Sequence, residues 1–162
     1  MTPHILIVDD QPLILHVLKE ILSRSPYIVR TALSANEALE LMKQEPIDVV
    51  ISDERMPGMQ GSEFLTIVRG KYPDTVRIIL TGHASVESAI RAINEGEIFR
   101  FLTKPVNSEV LHTAVREALA HKSKGSESER RFSLLESLEK QAPGITSVKR
   151  DADGAVIIDE NE

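Results

Sequence analysis

Cysteine and tryptophan are both absent from this 162-residue sequence, which holds only two tyrosines and four phenylalanines. No disulfide framework, zinc thiolate site or cysteine nucleophile is available to it. The lack of disulfides suits a reducing compartment, and the cytoplasm is the expected location. So few aromatic rings offer few platforms on which single-stranded bases could stack. Long hydrophobic runs are missing too. His4–Val8 is far too short to span a bilayer, and no basic segment leads into a signal-like apolar stretch, so no membrane association is expected. Positive charge is not in excess: the formal net charge is −6. Residues 123–162 carry six Lys and Arg against nine Asp and Glu, a net of −3, which leaves −3 for residues 1–122. Neither part has a basic stripe, so no direct contact with nucleic acid is expected.

What is present is an alternation. Over residues 1–122 the short apolar runs His4–Val8, Tyr27–Thr31, Ile47–Ser52, Val76–Leu80 and Ile98–Leu102 are separated by segments of helical period. Runs of this length, rich in Ile and Val, suit strands buried on both faces of a parallel sheet. Leu13, Ile14, Val17, Leu18, Ile21 and Leu22 predict a first helix, with Pro12 well placed for its first turn. Ser34 and Glu37 form a capping box ahead of a second helix over Ala38–Met42. Phe64, Leu65, Ile67 and Val68 predict a third that ends near Gly70. Val86, Ala89, Ile90 and Ile93 predict a fourth, and Val110, Leu111, Ala114, Val115, Ala118 and Leu119 a fifth. Five βα units in a row call for an α/β fold: a doubly wound, five-stranded parallel (βα)5 sheet with helices on both faces.

Residues 123–162 read as a C-terminal extension. A polar linker runs from Lys122 to Ser128. A helix is expected over about 127–141 with Phe132, Leu134, Leu135 and Leu138 on it, and Pro143-Gly144 stops it. Ser147–Arg150 and Ala155–Asp159 flank Asp151-Ala152-Asp153-Gly154, which predicts a β-hairpin over about 146–159. The same Asp-x-Asp-Gly also opens calcium loops, but the later ligands of such a loop are missing.

In a doubly wound sheet, ligands sit at the carboxyl ends of the strands. Asp9-Asp10 follows the first predicted strand, Asp53 the third, Thr81-Gly82 the fourth and Lys104-Pro105 the fifth. Three crowded carboxylates repel one another, and a hard divalent cation such as Mg2+ removes that cost. A phosphoryl group on one carboxylate could be met by the metal, the Lys104 ammonium and the Thr81 hydroxyl. Gly82 leaves room for it to approach backbone N–H. Each piece alone has a plainer reading: a helix cap at Asp9-Asp10, a turn at Thr81-Gly82, a solvated lysine at Lys104, a static core ring at Phe101. His4, His16, His83, His112 and His121 have no metal-ligand spacing.

Taken in order, Ile5-Leu6-Ile7-Val8-Asp9-Asp10, Ser52-Asp53-Glu54-Arg55-Met56-Pro57-Gly58-Met59-Gln60-Gly61, Leu80-Thr81-Gly82-His83-Ala84 and Phe101-Leu102-Thr103-Lys104-Pro105 resemble the flavodoxin-like receiver domain of bacterial response regulators over about residues 3–121. The resemblance implies that Asp53 accepts a phosphoryl group from a histidine of a sensor histidine kinase or phosphotransfer protein, forming 4-aspartylphosphate. It implies that Asp10, Asp53 and the Arg55 backbone carbonyl ligate Mg2+, with Asp9 acting through water. It also implies that Lys104 pairs with the phosphoryl oxygens and that the Lys104–Pro105 bond is cis. Thr81 and Phe101 would form the switch, and Arg55 and His83 would modulate dephosphorylation. No enzymatic activity is expected beyond self-catalysed transfer to, and hydrolysis from, Asp53.

Three alternatives stand beside this reading. One is a Mg2+-dependent phosphohydrolase with an aspartyl nucleophile, although Asp9-Asp10 lacks the Asp-x-Asp spacing of haloacid-dehalogenase-type enzymes. Another is a pseudo-receiver that scaffolds a partner without phosphorylation. In the third, the chain is the receiver part of a larger effector, a form that the Ile98–Pro105 text resembles. No helix-turn-helix or ATPase loop follows residue 122, so if the chain is complete the expected output is contact with a downstream protein effector. A homodimer is expected through the face of the fourth helix, fifth strand and fifth helix together with residues 123–162.

Overall fold

The computed structural model describes residues 2–82 and 98–123, and the backbone of 148–150 and 156–158. The chain divides into two compact units, Met1–Lys122 and Ser123–Glu162. In the first, five strands form one sheet: β1 (His4–Val8), β2 (Ile28–Ala32), β3 (Val49–Ser52), β4 (Val76–Thr81) and β5 (Arg100–Thr103). Their order is β2-β1-β3-β4-β5, and every neighbouring pair is parallel. The chain moves outward from β1 to β2 and then returns past β1 to β3. The switch in strand order therefore lies between β1 and β3, where a doubly wound sheet opens a crevice at its carboxyl edge.

Helices cover both faces: α1 (Pro12–Leu22), α2 (Ala35–Gln44), α3 (Gly61–Lys71) and α4 (Ser108–Ser123). The alternation of side chains along each strand divides the core in two. Ile5 and Ile7 of β1 face Leu15, Leu18 and Leu22 of α1 and Leu111, Val115 and Ala118 of α4. Leu6 and Val8 face Ala38 and Met42 of α2 and Phe64, Leu65 and Val68 of α3. Burial on both sides explains the apolar runs Ile5–Val8 of β1, Val49–Ile51 of β3 and Ile78–Leu80 of β4. The leucines of α1 recur three and four apart, so they form one stripe on its inner side. Each stabilises the fold by roughly 2 kcal/mol on burial, and Leu18→Ala would cost about 2–5 kcal/mol because the wall of sheet behind it cannot collapse.

Several local readings change. β2 begins one residue later than its apolar run, and β5 spans Arg100–Thr103 instead of Ile98–Leu102, although Ile98 stays buried. Asp9-Asp10 does not cap α1. Its N-cap is Gln11, which makes no side-chain cap bond, and Asp9 Oδ1 accepts instead from the Gln11 N–H at 2.9 Å. The Ser34 hydroxyl does accept from the Glu37 N–H at 3.1 Å, but the Glu37 carboxylate reaches back to the Leu33 N–H rather than to that of Ser34. α3 runs through Gly70 and stops at Lys71. Pro73 explains the stop, because the residue before a proline is driven out of helical backbone. In the second unit, Val148–Arg150 and Val156–Ile158 (β6 and β7) pair antiparallel, with Val148 opposite Ile158. Lys122 and Ser123, expected to open the linker, instead continue α4; the predicted helix over Val86–Ile93, residue His83, the rest of the linker and the helix over 127–141 lie outside the described residues.

Candidate functional site

Backbone pairing carries the ladder to the ends of the strands and fixes the candidate residues there. The Asp9 N–H donates to the Ala32 carbonyl at 3.1 Å, that of Asp53 to Val8 at 2.9 Å and that of Lys104 to Thr81 at 2.9 Å. Asp9, Asp53, Thr81 and Lys104 thus stand at one edge of the sheet, at the ends of four different strands. Carboxylate oxygens of Asp9, Asp10 and Asp53 all lie within 4.8 Å of one another. Among the described residues, no other group of His, Asp or Glu side chains is drawn together in this way. Asp9 is 2 % exposed and Asp53 8 %, so the pair sits inside the crevice while Asp10 opens to solvent.

Lys104 enters between them. Its Nζ lies 2.8 Å from Asp9 Oδ2 and 3.5 Å from Asp53 Oδ1. Both oxygens of Asp9 are therefore engaged, one by this ammonium and one by the Gln11 N–H. Burial pushes the Asp53 carboxyl upward in pKa; the Lys104 ammonium opposes the rise and the Asp9 charge adds to it, with a net upward result. One lysine thus serves two buried carboxylates, with a third anion beside them. The donor set of hard carboxylate oxygens, in excess of the local positive charge, fits a divalent cation of the Mg2+ type.

The remaining predicted positions are placed unevenly. Thr81 is 2 % exposed at the end of β4, opposite Thr103 in the register. Phe101 is half-buried and packs against the core beneath α2 and α3. The Lys104–Pro105 bond is cis. The Arg55 side chain is exposed, in the loop between Asp53 and α3. An alanine Cβ at Gly82 would meet only the Lys104 Cβ, at 3.8 Å, an ordinary contact.

Sequence reasoning missed three residues beside Asp53. The Ser52 hydroxyl donates to the Asp53 carbonyl at 2.9 Å. Gly61, first residue of α3, approaches that same carbonyl so closely that a Cβ would lie 2.1 Å from its oxygen. Glu54 accepts from the Ser62 hydroxyl at 2.7 Å and from the Ser62 N–H at 3.4 Å. A glycine at a helix start, where side chains are normally tolerated, was the available signal for Gly61; Glu54 and Ser62, eight apart, gave none.

Comparisons with known proteins agree with this geometry. Residues 5–116 match the family described as response regulator receiver domain. The transcriptional regulatory protein GlrR of Escherichia coli K12 is 40% identical over 116 residues, 72% of this chain and 26% of the relative. The DNA-binding transcriptional regulator NtrC of Proteus hauseri is 30% identical over 147 residues, 89% of this chain and 31% of that protein. The chain thus spans about a quarter to a third of the length of these relatives. Among solved structures, the signal receiver domain of an HD domain-containing protein from Pseudomonas fluorescens Pf-5 is 41% identical with a TM-score of 0.74, covering 76% of this chain and 99% of that one. The beryllofluoride-activated NtrC4 receiver domain dimer is 33% identical with a TM-score of 0.70, covering 74% and 98%.

Proposed function

The chain belongs to the response regulator receiver domain family, and from that premise we propose that it is a phosphorylation-controlled switch whose phosphoryl acceptor is Asp53. The observation that carries the reading is the meeting of three carboxylates, within 4.8 Å of one another, with a lysine ammonium at the carboxyl edge of the sheet. A carboxylate oxygen of Asp53 attacks the phosphorus of a phosphohistidine on a sensor histidine kinase or histidine phosphotransfer protein. The P–O bond forms as the P–N bond breaks, and the imidazole leaves with the electron pair and takes up a proton. Hydrolysis runs through attack of water on phosphorus, release of inorganic phosphate and return of the Asp53 carboxylate. This self-catalysed chemistry is the whole of the activity assigned.

Asp10, Asp53 and the Arg55 carbonyl would hold Mg2+, with Asp9 acting through water. The bound ion supplies positive charge against the phosphoryl oxygens. Lys104 supports the same charge: its ammonium leaves Asp9 for a phosphoryl oxygen, a charge-assisted bond. The Thr81 hydroxyl donates to another oxygen. Phe101 then turns into the space that Thr81 vacates, and because it has no hydroxyl the switch works through packing. Arg55 and His83 modulate the access of water. Mg2+-dependent labelling by acetyl phosphate, lost in Asp53→Ala and in chelator, is the expected result. Labelling of Asp53→Ala at wild-type stoichiometry sinks the assignment, and no labelling of the wild type supports a phosphorylation-independent scaffold.

The output is contact with a protein effector or a second copy. Arg100 and Glu117 form an ion pair on the β5–α4 surface, where Val110 stays 44% exposed. A homodimer through this face, helped by residues 123–162, is supported by the dimeric state named for the NtrC4 receiver. Sedimentation with and without beryllofluoride and Mg2+ tests it; a monomer under both conditions rejects it. A second reading, in which the receiver governs a larger effector, is favoured by relatives that are transcriptional regulators of which the chain spans about a quarter to a third. An antibody against residues 1–122 would then detect a cellular protein well above 18.0 kDa.

A further inference from the structure

We infer that Glu54 is a positioning residue for Asp53, acting as a staple between the acceptor loop and the first turn of α3. The inference rests on the reading of Asp53 as phosphoryl acceptor.

The need for the staple comes from the start of α3. The first N–H groups of a helix have no partners within it, and the residue before the first turn normally supplies one. Here that residue is Gln60, which makes no side-chain cap bond. Gln is not among the favoured caps, whose short side chains place an oxygen over the N–H groups of the next two or three residues. Glu54 supplies the oxygen from across the loop. Its Oε1 accepts from the Ser62 hydroxyl at 2.7 Å and from the Ser62 N–H at 3.4 Å. A carboxylate in this place is further favoured by the positive end of the helix dipole. The side chain thus replaces the missing cap and in doing so fixes residue 54.

The backbone of residue 54 is fixed as well. Its carbonyl accepts from the Gly61 N–H at 2.9 Å. Its own N–H is a minor favourable influence on the charge of the Asp53 carboxylate. Gly61 presses against the Asp53 carbonyl, so the helix end and the acceptor residue are already in contact. Glu54 therefore links two things: the start of the loop that leads from Asp53 to the Arg55 carbonyl, and the cap of α3. Cutting the side chain at Cβ removes the side-chain tie to α3 and leaves only the backbone bond from the Gly61 N–H to hold the residue next to the acceptor.

A helix cap alone would also be lost in such a variant, so the test must separate capping from positioning. The full chain is used as wild type, Glu54→Ala, Ser62→Ala, the double variant, and Glu54→Ala combined with Gln60→Ser. Ser at position 60 restores a neutral N-cap to α3 without tying residue 54. Two quantities are read for each: the melting temperature by circular dichroism, and the Mg2+ concentration giving half-maximal bound beryllofluoride signal by fluorine NMR. Glu54→Ala is expected to lower the melting temperature and to raise the half-saturating Mg2+ by about 10-fold, the lower end of what loss of an outer partner costs a metal site. Gln60→Ser in that background is expected to return the melting temperature while the half-saturating Mg2+ stays high. Ser62→Ala is expected to raise it less, and adding Ser62→Ala to Glu54→Ala to change it no further, because both cut the same link. Wild-type half-saturation in Glu54→Ala, recovery of both quantities with Gln60→Ser, or additive effects of the two cuts would each overturn the inference and reduce Glu54 to a cap. A wild-type protein that shows no Mg2+-dependent beryllofluoride signal fails earlier, at the Asp53 reading itself, and takes this inference with it.

Discussion

Two glycines on one helix should respond to alanine in opposite directions. Gly61 opens α3 and Gly70 lies one residue before its end. A Cβ at Gly61 would sit 2.1 Å from the Asp53 carbonyl oxygen and 2.9 Å from its carbon. Both atoms are backbone, held by the Asp53 N–H to Val8 bond at 2.9 Å, so no flexible side chain can swing away. Relief requires α3 to retreat, which breaks the bond from the Gly61 N–H to the Glu54 carbonyl at 2.9 Å. That bond contributes about 1 kcal/mol, and forced overpacking costs about 1–3 kcal/mol more. Alanine returns up to about 1 kcal/mol through its lower chain entropy in the unfolded state. The net expectation for Gly61→Ala is a loss of roughly 1–3 kcal/mol. A Cβ at Gly70 meets nothing within 4 Å, and its backbone is ordinary helix. Gly70→Ala should therefore stabilise by about 0.4–1 kcal/mol. Urea unfolding followed by far-ultraviolet circular dichroism reads both, and at roughly 3 °C per kcal/mol for a chain of this size the melting temperatures should part by about 4–12 °C. If Gly61→Ala falls within about 0.5 kcal/mol of wild type, the range of ordinary surface substitutions, the close packing of α3 on Asp53 is not real.

Three further outcomes follow from the charges. Lys104→Met leaves Asp9 buried without its ammonium and should cost the metal-free protein about 3 kcal/mol in urea, while Mg2+ binding by calorimetry should tighten by about 3- to 10-fold once the competing cation is gone; unchanged or weaker binding refutes the placement of Lys104 among the carboxylates. Asp53→Asn should stabilise the metal-free protein near neutral pH, because the folded state raises this carboxyl's pKa and its ionised form is disfavoured there. That gain should vanish as pH falls below the ordinary aspartate range, where both folded and unfolded wild type are protonated, and a gain that persists at low pH rejects the electrostatic cause. At the opposite edge of the sheet, burial alone would raise the Asp48 carboxyl, but the His4 N–H at 2.7 Å and the Lys122 ammonium hold it below its ordinary value. Its contribution is thus present above the unfolded pKa and lost as pH falls through the folded one. Asp48→Asn should cost about 1 kcal/mol near neutral pH after solvent screening, with the difference from wild type shrinking in acid; a difference that grows in acid has the wrong sign.

The sheet was legible because its signal is redundant. Ile5–Val8 and Val49–Ile51 are apolar at every position, which only burial on both faces explains, and β1 emerges with the expected bounds. Strand ends were less legible where burial outlasts pairing: Ile98 is buried yet lies before β5. The site was legible through chain order, since four polar pieces each followed an apolar run. What escaped were contacts set by the approach of separate elements. Gly61 is constrained by the Asp53 carbonyl, not by its own backbone angles, and Glu54 acts on a helix that begins seven residues later. Asp9 misled for a related reason. A carboxylate before a helix reads as its cap, but Lys104, 95 residues away, and the Gln11 N–H take its two oxygens. The Gly70 stop failed because Pro73 decides the end of α3 a little further on.

The acceptor is tested most directly by locating the phosphoryl group. The full chain is treated with acetyl phosphate and Mg2+, trapped with borohydride, which reduces an acyl phosphate to the alcohol, and read by peptide mass spectrometry. The account predicts conversion of residue 53 to homoserine, dependent on both reagents, with Asp9 and Asp10 unchanged. Homoserine at position 9 or 10, or full reaction without Mg2+, would contradict it.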